Sequence, residues 1–308
     1  MINDSKFKFL SKECCRQILD SNIICPILDD TVLYSVYMNG VCTDIKFNNL
    51  SAKEKDFYNK DVCLTLEKAI FLNNITKTQN CNIWMAERKK RITSSNAYGL
   101  FTYVNNKSPD WKNKIKDYYE NNFKGNSSTR HGIKNEPYAR MCYEREKNCS
   151  VVQSGSLVNP KIPWLLYSPD GIVFNQYIIE IKCPTEGKKM KATEAIQKIS
   201  WIDKTTNPPT LKKNRSYYCQ VQLGMFICNL KKCDFIIFSS YDKSIYVINV
   251  PYDEDMVLNN YLPKLQYVYF KYCLKYLSDL EVKNSDNDSR KCDNLERKVL
   301  SDITNLIN

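Results

Sequence analysis

Residues 168–184, Ser-Pro-Asp-Gly-Ile-Val-Phe-Asn-Gln-Tyr-Ile-Ile-Glu-Ile-Lys-Cys-Pro, constrain this chain more than any other stretch. Ile172-Val173-Phe174 and Tyr177-Ile178-Ile179 flank Asn175-Gln176, a pattern that predicts a β-hairpin. Ile178, Ile179 and Ile181 read as a buried central strand. Side chains two apart in a strand share a face, so Glu180 and Lys182 project together. The turn returns Asp170 to the neighbouring strand. Two carboxylates and an ammonium then converge, the minimum for holding a divalent metal and orienting a water for phosphodiester hydrolysis. In an exposed strand Glu-x-Lys is a solvated pair of little consequence. In this apolar setting both charges are costly unless paired or metal-bound, so the hairpin reads as the core of a metal-dependent nuclease.

The rest of the composition narrows the chemistry. The chain has 308 residues, 43% of them hydrophobic and 26% charged, which suits one large domain with an accessory segment. There are only 8 glycines, and neither G-x-x-x-x-G-K-[ST] nor G-x-G-x-x-G occurs, so NTPase and dinucleotide readings lose their support. A formal net charge of +11 fits a polyanionic partner such as nucleic acid. No apolar run reaches the roughly 18 residues of a membrane span, and Met1–Leu10 is too polar for a signal peptide. No membrane association is expected. The 14 cysteines are scattered without C-x-x-C, which reads as free thiols in a reducing, intracellular compartment. His131 is the only histidine, so multi-histidine metal sites are excluded and the chemistry must run mainly on carboxylates, lysine and metal.

Along the chain, helices are expected at Lys12–Leu19 and Asp61–Leu72, at 111–123, from His131 to Lys147 with Pro137 in the first turn, at Tyr217–Asn229 and over Asp255–Leu277. Asn105–Asp110 and Lys124–Thr129 read as polar loops. Strands are expected near Val151–Val158, Trp164–Tyr167, Ile172–Phe174, Tyr177–Cys183, Asp234–Ser239 and Ile245–Val250. Residues 185–215 mix a helical piece with a basic, proline-containing loop. The implied fold is α/β, a mixed β-sheet flanked by helices. It divides into an N-terminal helical extension (1–80), a main domain (81–280) and a charged C-terminal tail with a short helix (281–308).

Further segments gain meaning beside the hairpin. Arg88-Lys89-Lys90-Arg91-Ile92-Thr93-Ser94-Ser95 is a basic run leading into hydroxyl residues, Gly132 to Arg140 places Glu136 early on a helix, and Gln220-Val221-Gln222 puts amides on a later helix. Each alone is weak, since basic runs are usually solvated faces and Gln-x-Gln is usually surface helix. In order, they resemble the lambda-type exonuclease branch of the PD-(D/E)XK nucleases, the YqaJ-like viral recombinase family to which baculovirus alkaline nucleases belong. The pattern is Arg, Thr-x-Ser, Gly-x-x-x-Glu, Ser-Pro-Asp-Gly, Glu-x-Lys-Cys-Pro and Gln-x-Gln. Here it is supplied by Arg88, Thr93 and Ser95, Gly132 and Glu136, Ser168–Gly171, Glu180–Pro184, and Gln220 with Gln222, over roughly residues 84–250.

The resemblance implies a restriction-endonuclease-like core and a role for each residue. Asp170 and Glu180 would be the main metal ligands, assisted by the backbone carbonyl of Ile181, with Glu136 completing the shell through water. Lys182 would orient or help deprotonate the attacking water and stabilise charge developing on the phosphate. Arg88 and Ser95 would grip a phosphate near the cut end, with Arg91 a substitute for Arg88 from the same run. Ser168 and Gln220 would position the phosphate or the nucleophile. Gln222, on a different helix face from Gln220, reads as packing or DNA contact, and His131 as a helix-start residue without a chemical role. The cofactor implied is Mg²⁺, with Mn²⁺ able to substitute, and the activity is a 5′→3′ exonuclease on the ends of linear double-stranded DNA. A single-strand-annealing or single-strand DNA-binding partner and a homo-oligomer are implied the same way. A host nucleus suits a large DNA virus. Two alternatives remain open: an endonuclease on the same core, and a DNA-binding relative that has lost catalysis.

Overall fold

The computed structural model describes residues 50–120, 125–174 and 176–281. The expected helix at Lys12–Leu19, the turn residue Asn175 and the tail from 282 onward lie outside these residues. The described chain opens with helices α1 (Ala52–Phe57), α2 (Leu66–Ile75) and α3 (Asn82–Arg88). Ser51 closes a capping box on α1, accepting from the Glu54 N–H at 3.3 Å and donating its own N–H to Glu54 Oε2 at 2.8 Å. The single helix expected over Asp61–Leu72 is two pieces. A π-turn ends at Val62, Cys63 is extended, and Thr65 caps a new start at Leu66.

β1 (Ile92–Thr93) runs directly into α4 (Ser94–Tyr103), followed by α5 (Trp111–Glu120) and α6 (Ser127–Lys147). Asn126 caps α6, its Oδ1 accepting from the Thr129 N–H at 2.9 Å. The helix therefore begins before the expected His131, taking up part of the expected 124–129 loop, and Pro137 lies in its interior rather than its first turn. Pro137 and the residue one turn earlier, Ile133, are both exposed, so the carbonyl freed by the missing N–H faces water. β2 (Leu165–Leu166) pairs in parallel with β1. Then come β3 (Gly171–Val173), β4 (Tyr177–Lys182), α7 (Ala192–Lys198), the β5 (Ile202–Asp203) and β6 (Thr210–Leu211) pair, α8 (Ser216–Ile227), β7 (Lys232–Phe238) and β8 (Ile245–Pro251). A helical run over 254–281 completes the described chain, with α9 (Leu262–Val268) between two π-turns.

The main sheet has the order β3-β4-β7-β8, with β4 and β7 parallel and the outer pairs antiparallel. This is the mixed sheet the sequence predicts. Alternation along β4 splits its side chains between two cores. Ile179 and Ile181 pack with Val173, Ile236, Phe238 and the α6 residues Ala139 and Tyr143. Ile178 faces the other core, with Phe235, Ile237, Val221 and Leu223. Glu180 and Lys182, in step with Ile178, therefore point toward α8. Phe57, Tyr58, Val62 and Ala69 join that same second core, so the first described helices pack directly on the main domain.

One further expectation fails for a clear reason. Val151–Val158 forms isolated bridges at Val152 and Leu157 rather than a strand. Between them Gly155 tucks against the end of α2, where a Cβ would lie 2.3 Å from the Asn73 carbonyl oxygen. The helix expected at Tyr217–Asn229 forms as α8, and every residue from Tyr218 to Ile227 is buried, Gln220 and Gln222 included. An all-round buried helix lacks the amphipathic stripe by which helices are usually read.

Candidate active site

β3 begins at Gly171, opposite Ile179, so β4 continues past its partner on this edge. Asp170 takes over there: its Oδ2 accepts the Ile181 N–H at 2.6 Å. The N–H and C=O of a strand residue point to the same edge, so the Ile181 carbonyl emerges beside Asp170. One residue back, Glu180 is buried, and both its oxygens are held. Oε1 accepts from Lys182 Nζ at 2.5 Å and from Gln220 Nε2 at 2.6 Å, while Oε2 accepts from the Tyr167 hydroxyl at 2.9 Å. Lys182 also lies 5.1 Å from the centre of the Tyr217 ring. Burial opposes its charge, but Glu180 and Asp170 outweigh that and raise its pKa, so the ammonium is protonated at neutral pH.

Glu136 approaches from α6. Its Oε1 accepts from Arg140 Nη2 at 2.7 Å, and Arg140 Nε donates to the Asp170 carbonyl at 3.2 Å. Arg140 thus ties the helix to the loop before β3. Burial raises the Glu136 pKa against the pull of Arg140, and the Glu180 charge adds to the rise. Asp170 is raised well above the ordinary carboxylate range, first by burial and then by repulsion from Glu180, with Glu136 contributing. Three carboxylates therefore share a region with more negative charge than Lys182 and Arg140 neutralise.

A second set of residues forms one continuous chain of contacts. The Arg88 guanidinium stacks 4.1 Å above the Trp84 ring and donates through Nη2 to Ser95 Oγ at 3.1 Å. Ser95 and Thr93 hydroxyls are 3.3 Å apart. Trp84 Nε1 donates to Ser168 Oγ at 3.0 Å, two residues before Asp170. Arg88, Ser95 and Ser168 are brought together; Arg91 is not. Its side chain is fully buried, with Nε on the Pro163 carbonyl at 2.8 Å, Nη2 on the Val62 carbonyl at 2.9 Å and Nη1 on Glu87. Expected as a stand-in for Arg88, Arg91 is instead an internal tether with no face left for a phosphate. Gln222 is likewise structural: its amide donates to the Pro251 carbonyl at 2.8 Å and accepts the Asp253 N–H at 2.8 Å. His131 Nδ1 lies 3.0 Å from the Asn135 amide nitrogen.

Sequence reasoning passed over Tyr167, Trp84, Arg140 and Tyr217 as site residues. Trp84–Arg88 and Glu136–Arg140 are both i,i+4 pairs on predicted or neighbouring helices, a spacing that makes such side chains meet. Tyr167 carries no local signal beyond standing next to Ser168.

The donors available to a cation are all oxygens, from Asp170, Glu180, the Ile181 carbonyl and Glu136, which suits a hard divalent ion such as Mg²⁺ or Mn²⁺. The raised carboxylates show where positive charge is lacking. Among the described residues no three His, Cys, Asp or Glu side chains are gathered closely enough to form a metal cage unaided. These donors fit such an ion, for which the backbone carbonyl and water would complete the shell, while Arg140 engages Glu136.

The described cysteines are all free thiols. No helix among the described residues is long and apolar enough to cross a membrane. Residues 83–231 match the YqaJ-like viral recombinase domain. No curated protein matches the chain. Among solved structures, the alkaline exonuclease LHK-Exo from Laribacter hongkongensis aligns with a TM-score of 0.50 at 20% identity, over 67% of this chain and 99% of that one. LHK-Exo in complex with dAMP gives a TM-score of 0.50 at 21% identity, over 66% and 99%. A phage-related exonuclease from Haemophilus somnus 129PT aligns at 15% identity over 62% and 96%, with a TM-score of 0.44. The chain has the fold of the alkaline exonucleases.

Proposed function

We propose that this chain, whose residues 83–231 form a YqaJ-like viral recombinase domain on an alkaline-exonuclease fold, is a Mg²⁺-dependent deoxyribonuclease that degrades one strand of linear duplex DNA from its 5′ end. The observation that carries the reading is the buried Glu180 carboxylate, bound at one oxygen by Lys182 and Gln220 and neighboured by Asp170 on the free edge of β4. A structural ion pair has no need of a second, repelling carboxylate beside it.

Asp170, Glu180, the Ile181 carbonyl and, through water, Glu136 would hold a divalent ion, which would supply Lewis-acid charge for phosphodiester hydrolysis. Lys182 stays protonated, its ammonium held on Glu180 Oε1, and would stabilise the negative charge that develops on the phosphate. Gln220 and Tyr167 fix the Glu180 rotamer, so the carboxylate is preorganised. Arg88, flattened on Trp84 and paired with Ser95, offers a guanidinium fork to a terminal phosphate, and Ser168 adds a hydroxyl next to Asp170. Generating 3′ single strands this way would feed a single-strand-annealing or single-strand DNA-binding partner, in a host nucleus if the source is a large DNA virus.

The test is digestion of end-labelled linear duplex with Mg²⁺, comparing wild type, Lys182→Ala and a covalently closed circle. Shortening of the 5′-labelled strand, lost in the variant and absent with the circle, is expected. Cutting of the circle would replace the exonuclease reading with an endonuclease. No cleavage with Mg²⁺ or Mn²⁺ despite DNA binding would leave a binding protein.

A further inference from the structure

At the end of the sheet that carries Glu180 and Lys182, the chain gathers a second group of side chains that this mechanism does not use. The short 3₁₀ turn Thr185–Lys188 follows β4 and packs against the β7–β8 turn. The Tyr241 N–H and Ser239 hydroxyl both donate to the Gly187 carbonyl, at 3.0 and 3.1 Å, and a Cβ on Gly187 would lie 2.9 Å from the Phe238 carbonyl oxygen. The β7–β8 turn in its turn leans on α6, with Lys243 Nζ 5.8 Å from the centre of the Tyr138 ring.

Lys188, Lys134 and Lys243, all exposed, bear together on His131. Burial and then these three ammoniums hold the imidazole below its ordinary range, and its Nε2 is buried without a hydrogen-bond partner. The acids nearby are engaged locally. Asp242 Oδ1 accepts from the Ser244 N–H and hydroxyl at 3.0 and 2.6 Å, and Glu186 accepts from Thr185 at 3.2 Å. Two rings nearby are exposed: Tyr138, beside Lys243, at 53%, and Tyr241, whose N–H meets the carbonyl of the residue before Lys188, at 64%. Aromatic rings left this bare beside exposed lysines bury little of their area within the fold.

Ammoniums that track phosphates, interleaved with rings that take unstacked bases, are the chemistry of single-strand binding. A duplex offers the phosphates but no free base faces. We infer that the face made by His131, Lys134 and Tyr138 of α6, Lys188, and Tyr241 and Lys243 of the β7–β8 turn binds single-stranded DNA. The inference rests on the nuclease reading in taking DNA as the partner. Position supports it: Lys182 pairs with Ile237 of β7, just before the β7–β8 turn that carries Tyr241 and Lys243, so the two groups share one end of the sheet.

The experiment measures fluorescence anisotropy of the full chain, in EDTA to prevent cleavage, with a fluorescein-labelled oligo(dT) and with a blunt hairpin duplex. Tyr138→Ala/Tyr241→Ala is expected to weaken oligo(dT) binding at least about fivefold, the lower bound for losing one stacked base, and to leave the hairpin within about twofold. Tyr138→Phe/Tyr241→Phe keeps the rings and should restore wild-type binding. Lys188→Ala/Lys243→Ala should weaken both DNAs and lower the salt slope by about two. Unchanged oligo(dT) affinity in the alanine pair, or an equal loss on both DNAs, overturns the single-strand assignment while leaving the nuclease reading intact. Failure of the wild type to bind either DNA overturns both.

Discussion

Asp170 Oδ2 lies 2.6 Å from the amide nitrogen of Ile181, where β3 has ended and β4, still paired with β7, has one edge open. The side chain does the work of a missing strand residue while its charge serves the site. Asp170→Asn keeps an oxygen for that N–H and removes a buried, repelled charge. Its melting temperature should equal or exceed that of the wild type in EDTA, while Mg²⁺-dependent cleavage falls about a hundredfold or more. Asp170→Ala should lose both. Thermal melts and end-labelled digestion check this; an Asn variant as unstable as the Ala variant would refute the division of roles.

Arg88 and Arg91 differ by three positions and have opposite fates. Arg91→Met leaves the Pro163 and Val62 carbonyls without their partner and Glu87 with Lys90 alone, and should cost about 3–5 kcal/mol in urea denaturation. Arg88→Met should cost about 1 kcal/mol or less and act instead on the binding of 5′-phosphorylated ends. Anisotropy with 5′-phosphate and 5′-hydroxyl duplexes separates these effects: the variant should lose the wild type's preference for the phosphate.

Gly224 on α8 backs onto the ring that holds Glu180. A Cβ there would come within 2.6 Å of the Tyr167 ring, whose hydroxyl donates to Glu180 Oε2. Gly224→Ala should cost about 1–3 kcal/mol and reduce cleavage by displacing that hydroxyl. Gly132 on α6 has nothing within 4 Å of an added Cβ, so Gly132→Ala should gain up to about 1 kcal/mol from helix propensity with cleavage unchanged. Melting curves and digestion rates on both variants are the check.

Asp253 shapes stability with pH. Its carboxylate accepts from Lys213 at 2.7 Å, from the Tyr218 hydroxyl at 2.8 Å and from the Met256 N–H at 3.1 Å, and these bonds, Lys213 first, hold its pKa below the ordinary value against some burial. A depressed folded-state pKa means that the unfolded chain binds more protons in the acid range, so this contribution rises with pH. It is complete above the ordinary carboxylate range and is lost as pH falls through that range toward the folded value. Asp253→Asn should therefore cost about 1 kcal/mol at neutral pH, and its difference from wild type should shrink below about pH 4. A difference that stays constant from neutral to acid pH would show that the charge is irrelevant.

The hairpin, the central β4 strand and the convergence of Asp170, Glu180 and Lys182 are legible in the sequence because they depend on period-two alternation and a turn acting within about a dozen residues. The mixed β-sheet was legible too, but its order β3-β4-β7-β8, with the parallel β4–β7 crossover, was set by the fold. Other features were settled only by contacts between distant segments. Arg91 becomes a tether through carbonyls 72 and 29 residues away, which no reading of a basic run distinguishes from Arg88. Val151–Val158 gives up its strand because Gly155 must pass beneath α2. Gln220 reaches Glu180 across 40 residues from a helix buried on every side, where amphipathic periodicity vanishes. Local pattern thus determined which residues can share a face, whereas burial and the pairing of polar groups, which depend on what the whole fold packs against them, were decided by the tertiary structure.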